Sequence, residues 1–360
     1  MSRKHFSLLL AVTLVVAVAV LLVPGRTGHE ADVEKSRLLP ELQSRVNELD
    51  WLQIRGAGGA TVVTLRRGEG FWGVEEASSY RADWEQLRTL LTDLTQAEIV
   101  ERKTANPQYY DRLGVEDLDQ PEAGGLLMDF GTASGIPSVI IGNRSEGRDG
   151  HYVRRQDAAE SVLIDRSLEV PRNRMDWLEQ NVIHVADSEV VEIEIVHADG
   201  QRVRARKVAA DDENFELQDI PEGAEIESAW TVNSLAGGLA SLTLEDVAPV
   251  ADIDWAGATR FGLVTADGLR IDTELTAVDA TGDADQADGE YWIRLQASLY
   301  QTAVDSAVTA PEDGGETGER AEAVNDRVGG WAYRIPKYKY DAMTKRMDDL
   351  VKETDESPAL

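Results

Sequence analysis

The sequence predicts an α+β fold: an N-terminal transmembrane helix followed by two tandem repeated modules, each an antiparallel sheet packed with helices. Residues 6–23 form an uncharged, mostly aliphatic run, hairpin patterns occur at 51–67 and again at 191–208, and helical spacing of apolar residues follows each hairpin. The predicted segments are a cytoplasmic n-region at 1–5, an anchor at 6–23, a tether at 24–45, modules at 46–184 and 185–351, and a polar tail at 352–360.

The apolar run at residues 6–23 has the length of a membrane span. At 1.5 Å per residue a helix of this size covers about 27 Å, close to the roughly 30 Å hydrocarbon core of a bilayer. Arg3 and Lys4 precede the run, and Pro24-Gly25 end it without small residues at the usual cleavage spacing. We expect a retained signal anchor in the cytoplasmic (inner) membrane, single-pass, with most of the chain on the periplasmic or extracytoplasmic side. A cleaved signal peptide is the alternative.

The first module begins with a strand at 51–55, a glycine-rich turn at 56–59 and an alternating strand at 61–67. A short aromatic strand and a helix with leucines at helical spacing follow; those leucines are Leu87, Leu90, Leu91 and Leu94. Trp177, Leu178 and Val182 predict a closing amphipathic helix.

The second module repeats this order. Apolar residues alternate with Glu192 and Glu194, an Asp199-Gly200 turn follows, and 203–208 forms the return strand. Val232, Leu235 and Leu239 correspond to the leucines of the first helix, and 302–330 reads as a disordered insert because it is polar and rich in Gly and Glu. Met343, Met347, Leu350 and Val351 predict the closing helix.

Composition excludes several classes of function. The chain has 66 Asp and Glu but only 36 Lys and Arg, which gives a formal net charge of −30 at pH 7. Nucleic acids and anionic headgroups both require clustered cations, so no nucleic-acid partner is expected. The chain has no cysteine. Disulfides, thiolate nucleophiles and thiolate metal sites are therefore excluded together.

Five segments of the chain carry a resemblance to a known family. They are the apolar N-terminal run, 62–65 with Phe71-Trp72, 110–115 with Leu113-Gly114, Ile140-Ile141-Gly142 followed by Tyr152-Val153, and 330–340. In these segments the chain resembles the bacterial domain-of-unknown-function 4340 family. Members of that family are membrane-anchored, and their genes often lie beside those of ABC transporters that resemble gliding-motility systems. The resemblance thus implies an accessory role in such a complex, and it supplies no catalytic residues.

Motifs for catalysis or metal binding are weak. The five histidines are scattered, and His197 continues the inner face of a hairpin, which indicates a structural role. Asp283, Asp285 and Asp288 lack the spacing of an EF-hand and favour a solvated loop. Asp252 and Asp254 flank Ile253 as a pair that could act as acid and base on a glycan, although an exposed acidic strand is the simpler interpretation. No cofactor or metal is predicted.

Two basic segments stand out against the acidic background. Arg172 and Arg174 follow Pro171, and Lys337 and Lys339 follow Pro336 in the same register. These four cations are the predicted partner-binding residues, because they could pair with acidic protein surfaces or phosphates. The alternative is that each proline ends a strand and the cations are simply exposed.

The predicted function is that of a non-enzymatic, membrane-anchored extracytoplasmic accessory or binding subunit of an ABC-type export or surface-assembly complex. Its partners would be other subunits of that membrane complex, and any small-molecule ligand is undetermined by the sequence. Two alternatives remain: a cell-wall or glycan-processing hydrolase that uses paired carboxylates, and a structural or adhesive exoprotein.

Overall fold

The structure is a computed structural model that describes residues 36–131, 135–278, 289–300 and 315–353. The chain divides into two compact units, and β-strands account for more of the described residues than helices do. Of the described residues, those within 36–49, 54–60 and 89–170 form the first unit, and those within 50–53, 61–88 and 171–353 form the second.

The described strands are numbered here in chain order. They are β1 (Ser36–Arg37), β2 (Trp51–Arg55), β3 (Thr61–Arg67), β4 (Trp72–Val74), β5 (Tyr80–Arg81), β6 (Glu98–Arg102), β7 (Leu126–Gly131), β8 (Val139–Arg144), β9 (His151–Arg155), β10 (Ser161–Ile164), β11 (Asn181–Ile183), β12 (Val190–Val196), β13 (Arg202–Arg206), β14 (Glu216–Leu217), β15 (Ala224–Ile226), β16 (Leu242–Thr243), β17 (Asp246–Pro249), β18 (Thr259–Thr265), β19 (Leu269–Val278), β20 (Glu290–Leu299), β21 (Trp331–Arg334) and β22 (Val351–Glu353).

The described α-helices are short. They are α1 (Pro40–Arg45), α2 (Trp84–Gln96), α3 (Tyr110–Leu113), α4 (Ala229–Asn233), α5 (Gly315–Val328) and α6 (Lys337–Met343). The two longest, α5 and α2, have 14 and 13 residues. Several 3₁₀ segments also occur, among them Arg174–Trp177, Ser234–Leu239 and Met347–Asp349.

The first unit contains six neighbouring antiparallel strands in the order β1-β6-β10-β9-β8-β7. One of its cores packs Tyr110 and Val115 against Leu127 and Ile140. Arg154 is buried beside this core, where its Nε donates to the carbonyl of Val115 at 2.8 Å and its guanidinium lies 4.6 Å from the Tyr110 ring. A buried cation needs such partners, because an unpaired one would be costly.

The second unit contains the antiparallel group β3-β4-β5 and an eight-stranded antiparallel sheet of order β14-β13-β12-β18-β19-β20-β21-β17. Alternation in this larger sheet is clear: Ile193 and Ile195 of β12 are buried, whereas Glu192 and Glu194 are half-exposed. Because successive side chains of a strand point to opposite faces, one face of the sheet forms the core and the other is polar.

The C-terminal part of β20 lies beside α5. Strand β20 pairs with β19 along its whole length, but with β21 at Trp292 and Ile293 alone among the described pairs. Toward the C-terminal end of β20, the side chain of Asn325 on α5 takes the place of a neighbouring strand. Its Nδ2 donates to the carbonyl of Ala297 and its Oδ1 accepts from the Ala297 amide, both at 2.8 Å.

The predicted fold class is wrong in its helices. Where a second long helix was predicted, α4 has five residues and a 3₁₀ segment continues it. Close packing explains this difference, since a Cβ on Gly238 would lie 2.7 Å from Met343 Cγ and 3.1 Å from Phe261 Cζ. The two predicted closing helices are also absent from the described residues: 3₁₀ turns and the short strands β11 and β22 hold most of those apolar residues.

The two units nevertheless share part of a strand order. In the first unit it is β6-β10-β9-β8-β7, and in the second it is β17-β21-β20-β19-β18. In both, four consecutive strands lie in sequence, and the strand that precedes them in the chain lies beside the last of the four. The likeness therefore concerns strand order, and no matching arrangement of packed helices accompanies it in the described residues.

The predicted disorder at 302–330 is wrong over residues 315–328, which form α5; residues 302–314 lie outside the described residues. Small residues form the buried side of this helix, including Thr317, Ala321 and, at its end, Val328. A narrow side of this kind gives little hydrophobic signal in the sequence, but it lets the helix pack closely on β20.

Among the described residues, no helix combines the length and the apolar character needed to cross a bilayer. The predicted anchor at residues 6–23 lies outside the described residues. We therefore correct the predictions of a fold with a transmembrane signal anchor and of a single-pass location in the inner membrane, which rest on that segment alone.

A tight backbone contact at Gly142 in β8 gives a test of the first unit. A Cβ at this position would overlap the carbonyl of Leu113 and lie 2.7 Å from Val115 Cγ1. We expect Gly142→Ala to lower the free energy of unfolding by about 1–3 kcal/mol, as overpacking does. Gly147→Ala is the matched control because a Cβ there meets nothing within 4 Å. Urea unfolding measures both, and equal midpoints would contradict the contact.

Candidate functional site

The four predicted partner-binding residues all lie in the second unit, and the structure gives them different roles. Arg174 donates from Nη1 to the carbonyl of Glu76 at 3.1 Å and lies 3.9 Å from a carboxylate oxygen of Asp246. Lys339 donates from Nζ to the carbonyls of Gly237 at 3.1 Å and Ala240 at 2.5 Å. Both side chains therefore hold backbone segments of their own unit in place.

The other two predicted cations are more exposed. Lys337 forms an ion pair with Asp341 one helical turn later, at 2.7 Å, and its Nζ lies 5.7 Å from the Tyr291 ring. Arg172 is exposed before the 3₁₀ turn Arg174–Trp177. Nothing in the structure brings the four cations to one binding surface, so partner binding by these residues stays a prediction.

The structure also locates some of the acidic and histidine candidates. Asp252 lies in a 3₁₀ turn and Asp254 in the loop after it, and the latter accepts a hydrogen bond from the Ala256 amide. The strand that would have aligned the two carboxylates is therefore absent. Asp283, Asp285 and Asp288 lie outside the described residues. His197 is buried, with Nε2 3.2 Å from the carbonyl of Lys345, which agrees with its predicted structural role.

A different group of residues forms the candidate site. A cavity of about 510 Å³ opens on the second unit, and we call it the arginine–aromatic cavity. Its lining residues are Arg67, Gly68, Gly70, Phe71, Trp72, Arg81, Ala82, Trp84, Glu179 and Arg327.

Local backbone structure explains how these residues meet. The turn between β3 and β4 is closed by the Gly68 amide, which donates to the carbonyl of Phe71 at 2.8 Å. Gly70 within that turn has a φ of +88°, a conformation that favours glycine. Asp83 caps helix α2 by accepting from the Gln86 amide, and this cap fixes Trp84 at the first helical position.

Aromatic side chains at the cavity are unusually open to solvent. Trp84 is 50% exposed and Phe71 is 36% exposed, whereas aromatic residues in a protein normally bury most of their surface. The guanidinium of Arg81 lies 4.5 Å from the centre of the Phe71 ring, and that of Arg67 lies 5.8 Å from the Trp72 ring. Two of the three lining arginines thus lie against aromatic rings.

The charge of the cavity is positive. Among the described residues that line it, three are arginines and one, Glu179, is acidic. Backbone carbonyls hold two of the arginines: Arg81 donates to Asp326 at 3.2 Å, and Arg327 donates to Val182 at 2.5 Å. A backbone carbonyl has no net charge, so it holds the guanidinium group in place without cancelling its positive charge. Arg327 also keeps its Nε buried with no hydrogen-bond partner among the described residues.

Tyr80, the residue before Arg81 in the chain, is fixed by the core. Tyr80 is almost fully buried, and its hydroxyl donates to the carbonyl of Glu179 at 3.1 Å. Its ring meets Trp331 and Tyr333 edge to face, with centroids 5.1 and 6.0 Å apart. Burial raises the pKa of Tyr80 to about 12, so the hydroxyl stays a neutral donor at physiological pH.

Sequence reasoning missed this site. Its arginines come from two distant parts of the chain, around residues 67–81 and at residue 327, and none belongs to a recognisable motif. The available signal was the pair Phe71-Trp72 beside Arg67, which we interpreted as a strand. Arg327 could not be placed because its segment was predicted to be disordered.

The fold and the cavity together define a mostly β protein with an open, positively charged site. Over residues 72–260 the chain matches the family model described as "Domain of unknown function (DUF4340)", which is more than half of its length. The chain belongs to this family, and the resemblance found in the sequence is thereby confirmed. No curated protein and no solved structure matches it.

Unfolding measurements can distinguish the structural role of Lys339 from the more exposed position of Lys337. Lys339→Met removes two hydrogen bonds to backbone carbonyls, and we expect a loss of about 1–3 kcal/mol in the free energy of unfolding. Lys337→Met removes an exposed ion pair, which is worth about 0.3–0.5 kcal/mol on a helix. Urea unfolding of both variants checks this, and a larger loss for Lys337→Met would refute the assignment.

Proposed function

We propose that this chain is a non-enzymatic binding subunit that docks an acidic, aromatic-bearing segment of a partner protein in the arginine–aromatic cavity. One observation carries the proposal: three arginines and two solvent-open aromatic rings line one cavity on a chain whose formal net charge is −30. In an otherwise acidic protein, a local positive site attracts an acidic ligand that the rest of the surface repels.

The contacts of the lining residues support recognition over catalysis. Arginine guanidinium groups remain charged at any physiological pH and bind carboxylates through paired hydrogen bonds, so they serve recognition better than proton transfer. Exposed tryptophan and phenylalanine add apolar contact area at little cost in conformational entropy. Trp84 and Arg81 therefore form the proposed anchor pair for the partner segment.

The family adds an expectation about the partner. The genes of its members often lie beside those of ABC-type transporters, so we further propose that the partner belongs to an ABC-type export or surface-assembly complex. In that role the chain would act as an accessory subunit, and its cavity would hold an acidic segment of another subunit.

A defined peptide tests the cavity directly. The probe is a short fluorescent peptide of alternating glutamate and tyrosine, with a second peptide in which glutamine replaces glutamate. We expect the intact chain to bind the acidic peptide more tightly, and raised salt to weaken that binding because the charges are exposed. Arg81→Gln and Trp84→Ala should each weaken it by about tenfold, equivalent to roughly 1.4 kcal/mol. Fluorescence anisotropy measures all of these.

Matched controls come from the same chain. Arg102 is an exposed arginine in an ion pair with Glu160 and lies outside the cavity, so Arg102→Gln should leave peptide binding unchanged. Trp230 is 77% exposed and also lies outside it, which makes Trp230→Ala the control for Trp84→Ala. Equal losses in the cavity variants and the controls, or equal binding of the two peptides, would refute the proposal. The same variants can then be compared for loss of copurifying transporter subunits.

A further inference from the structure

A second and larger cavity lies on the polar face of the eight-stranded sheet, also in the second unit. It has a volume of about 830 Å³, within the roughly 300–1,000 Å³ typical of small-molecule sites. Strands β18, β19 and β20 form its floor, and the segment from Gly329 to Trp331 forms part of its wall. We call it the sheet-face cavity.

Strand register places its polar side chains in two rows. Arg260, Glu274 and Arg294 are direct neighbours across the three strands. Gly262, Asp272 and Gln296 form the next row. Alternate residues of a strand share a face, so both rows point away from the core. Gly262 leaves room for its neighbours, since a Cβ there would lie 3.1 Å from Asp272 Oδ1 and 3.3 Å from Arg270 Nη2.

Charges in this cavity are compensated, in contrast to the arginine–aromatic cavity. Arg294 donates two hydrogen bonds to Glu274, one of them at 2.9 Å. Asp272 is held by Arg270, which donates to both of its carboxylate oxygens. Because carboxylates and guanidinium groups alternate on the floor, an anion entering the cavity would meet Asp272 and Glu274 as well as the arginines. The floor therefore suits an uncharged ligand with many hydroxyl groups.

One wall of the cavity is aromatic and rigid. Trp331 lines it, and the edge-to-face contact with Tyr80 fixes the orientation of the indole. The indole of Trp255 lies 4.8 Å from the guanidinium of Arg294. An indole wall beside planar carboxylate, guanidinium and amide groups offers what a sugar ring needs: an apolar surface for its C–H face, and paired donors and acceptors for adjacent hydroxyls.

We propose that the sheet-face cavity binds a short, uncharged oligosaccharide. Trp331 takes the apolar face of one ring, while Glu274, Asp272, Gln296 and Arg260 hydrogen-bond its hydroxyls. This site is separate from the arginine–aromatic cavity, and the proposal does not depend on the acidic partner.

The experiment uses the full chain and a set of neutral trisaccharides: maltotriose, cellotriose, mannotriose and chitotriose. Calorimetry should detect binding of at least one of them, with quenching or a shift of tryptophan fluorescence. Binding should be insensitive to salt, since the ligand carries no charge. Gln296→Ala and Arg260→Ala should each weaken it by about fivefold or more, the effect of losing one hydrogen bond.

Two control variants and three possible results decide whether the proposal holds. Ser298→Ala is the matched control, because Ser298 lies on the same face of β20 but does not line the cavity. Arg81→Gln should leave saccharide binding unchanged while it weakens peptide binding, so failure at one site is distinguishable from failure at the other. Absence of binding by all four sugars, salt-dependent binding of a glucuronate oligomer in their place, or equal losses in Gln296→Ala and Ser298→Ala would each overturn the proposal.

Discussion

Burial of one tyrosine ring supports both candidate sites. Tyr80 packs edge to face on Trp331 and on Tyr333 and ties β5 to β21 within the second unit. The next residue in the chain, Arg81, lines the arginine–aromatic cavity, and Trp331 lines the sheet-face cavity. A buried phenol needs a hydrogen-bond acceptor, and the carbonyl of Glu179 supplies it. The positions of one recognition residue in each cavity thus follow from the packing of a single side chain.

The two cavities differ in how their arginines are held. On the sheet face, Glu274 of the neighbouring strand holds Arg294, and the two lining arginines are balanced by the two lining carboxylates, Asp272 and Glu274. In the arginine–aromatic cavity, carbonyls and ring faces hold Arg81 and Arg327, so their positive charge persists. Exposed ion pairs contribute little to stability, about 0–1 kcal/mol each. Their main effect here is on the charge that a ligand meets.

The sequence determined the regular strands better than the helices or the site. Alternation at Glu192 and Glu194 correctly placed β12, and leucine spacing correctly placed α2, because both patterns arise from one buried face. The same reasoning failed at Met343–Leu350, where contacts with other parts of the chain decide the local structure. It also failed for α5, whose buried side consists of small residues. The arginine–aromatic cavity was beyond reach because Arg67, Arg81 and Arg327 are brought together by folding.

The amide of Asn325 has a consequence for how copies of this protein meet. A strand with free N–H and C=O groups invites the edge of another molecule, and growth by such contacts leads to aggregates. Where β21 leaves β20, the Asn325 side chain occupies both polar groups of Ala297. An incoming chain would have to displace α5 before it could add a strand at this point. Among the described residues, the helix thus occupies the place that an added strand would need beside Ala297.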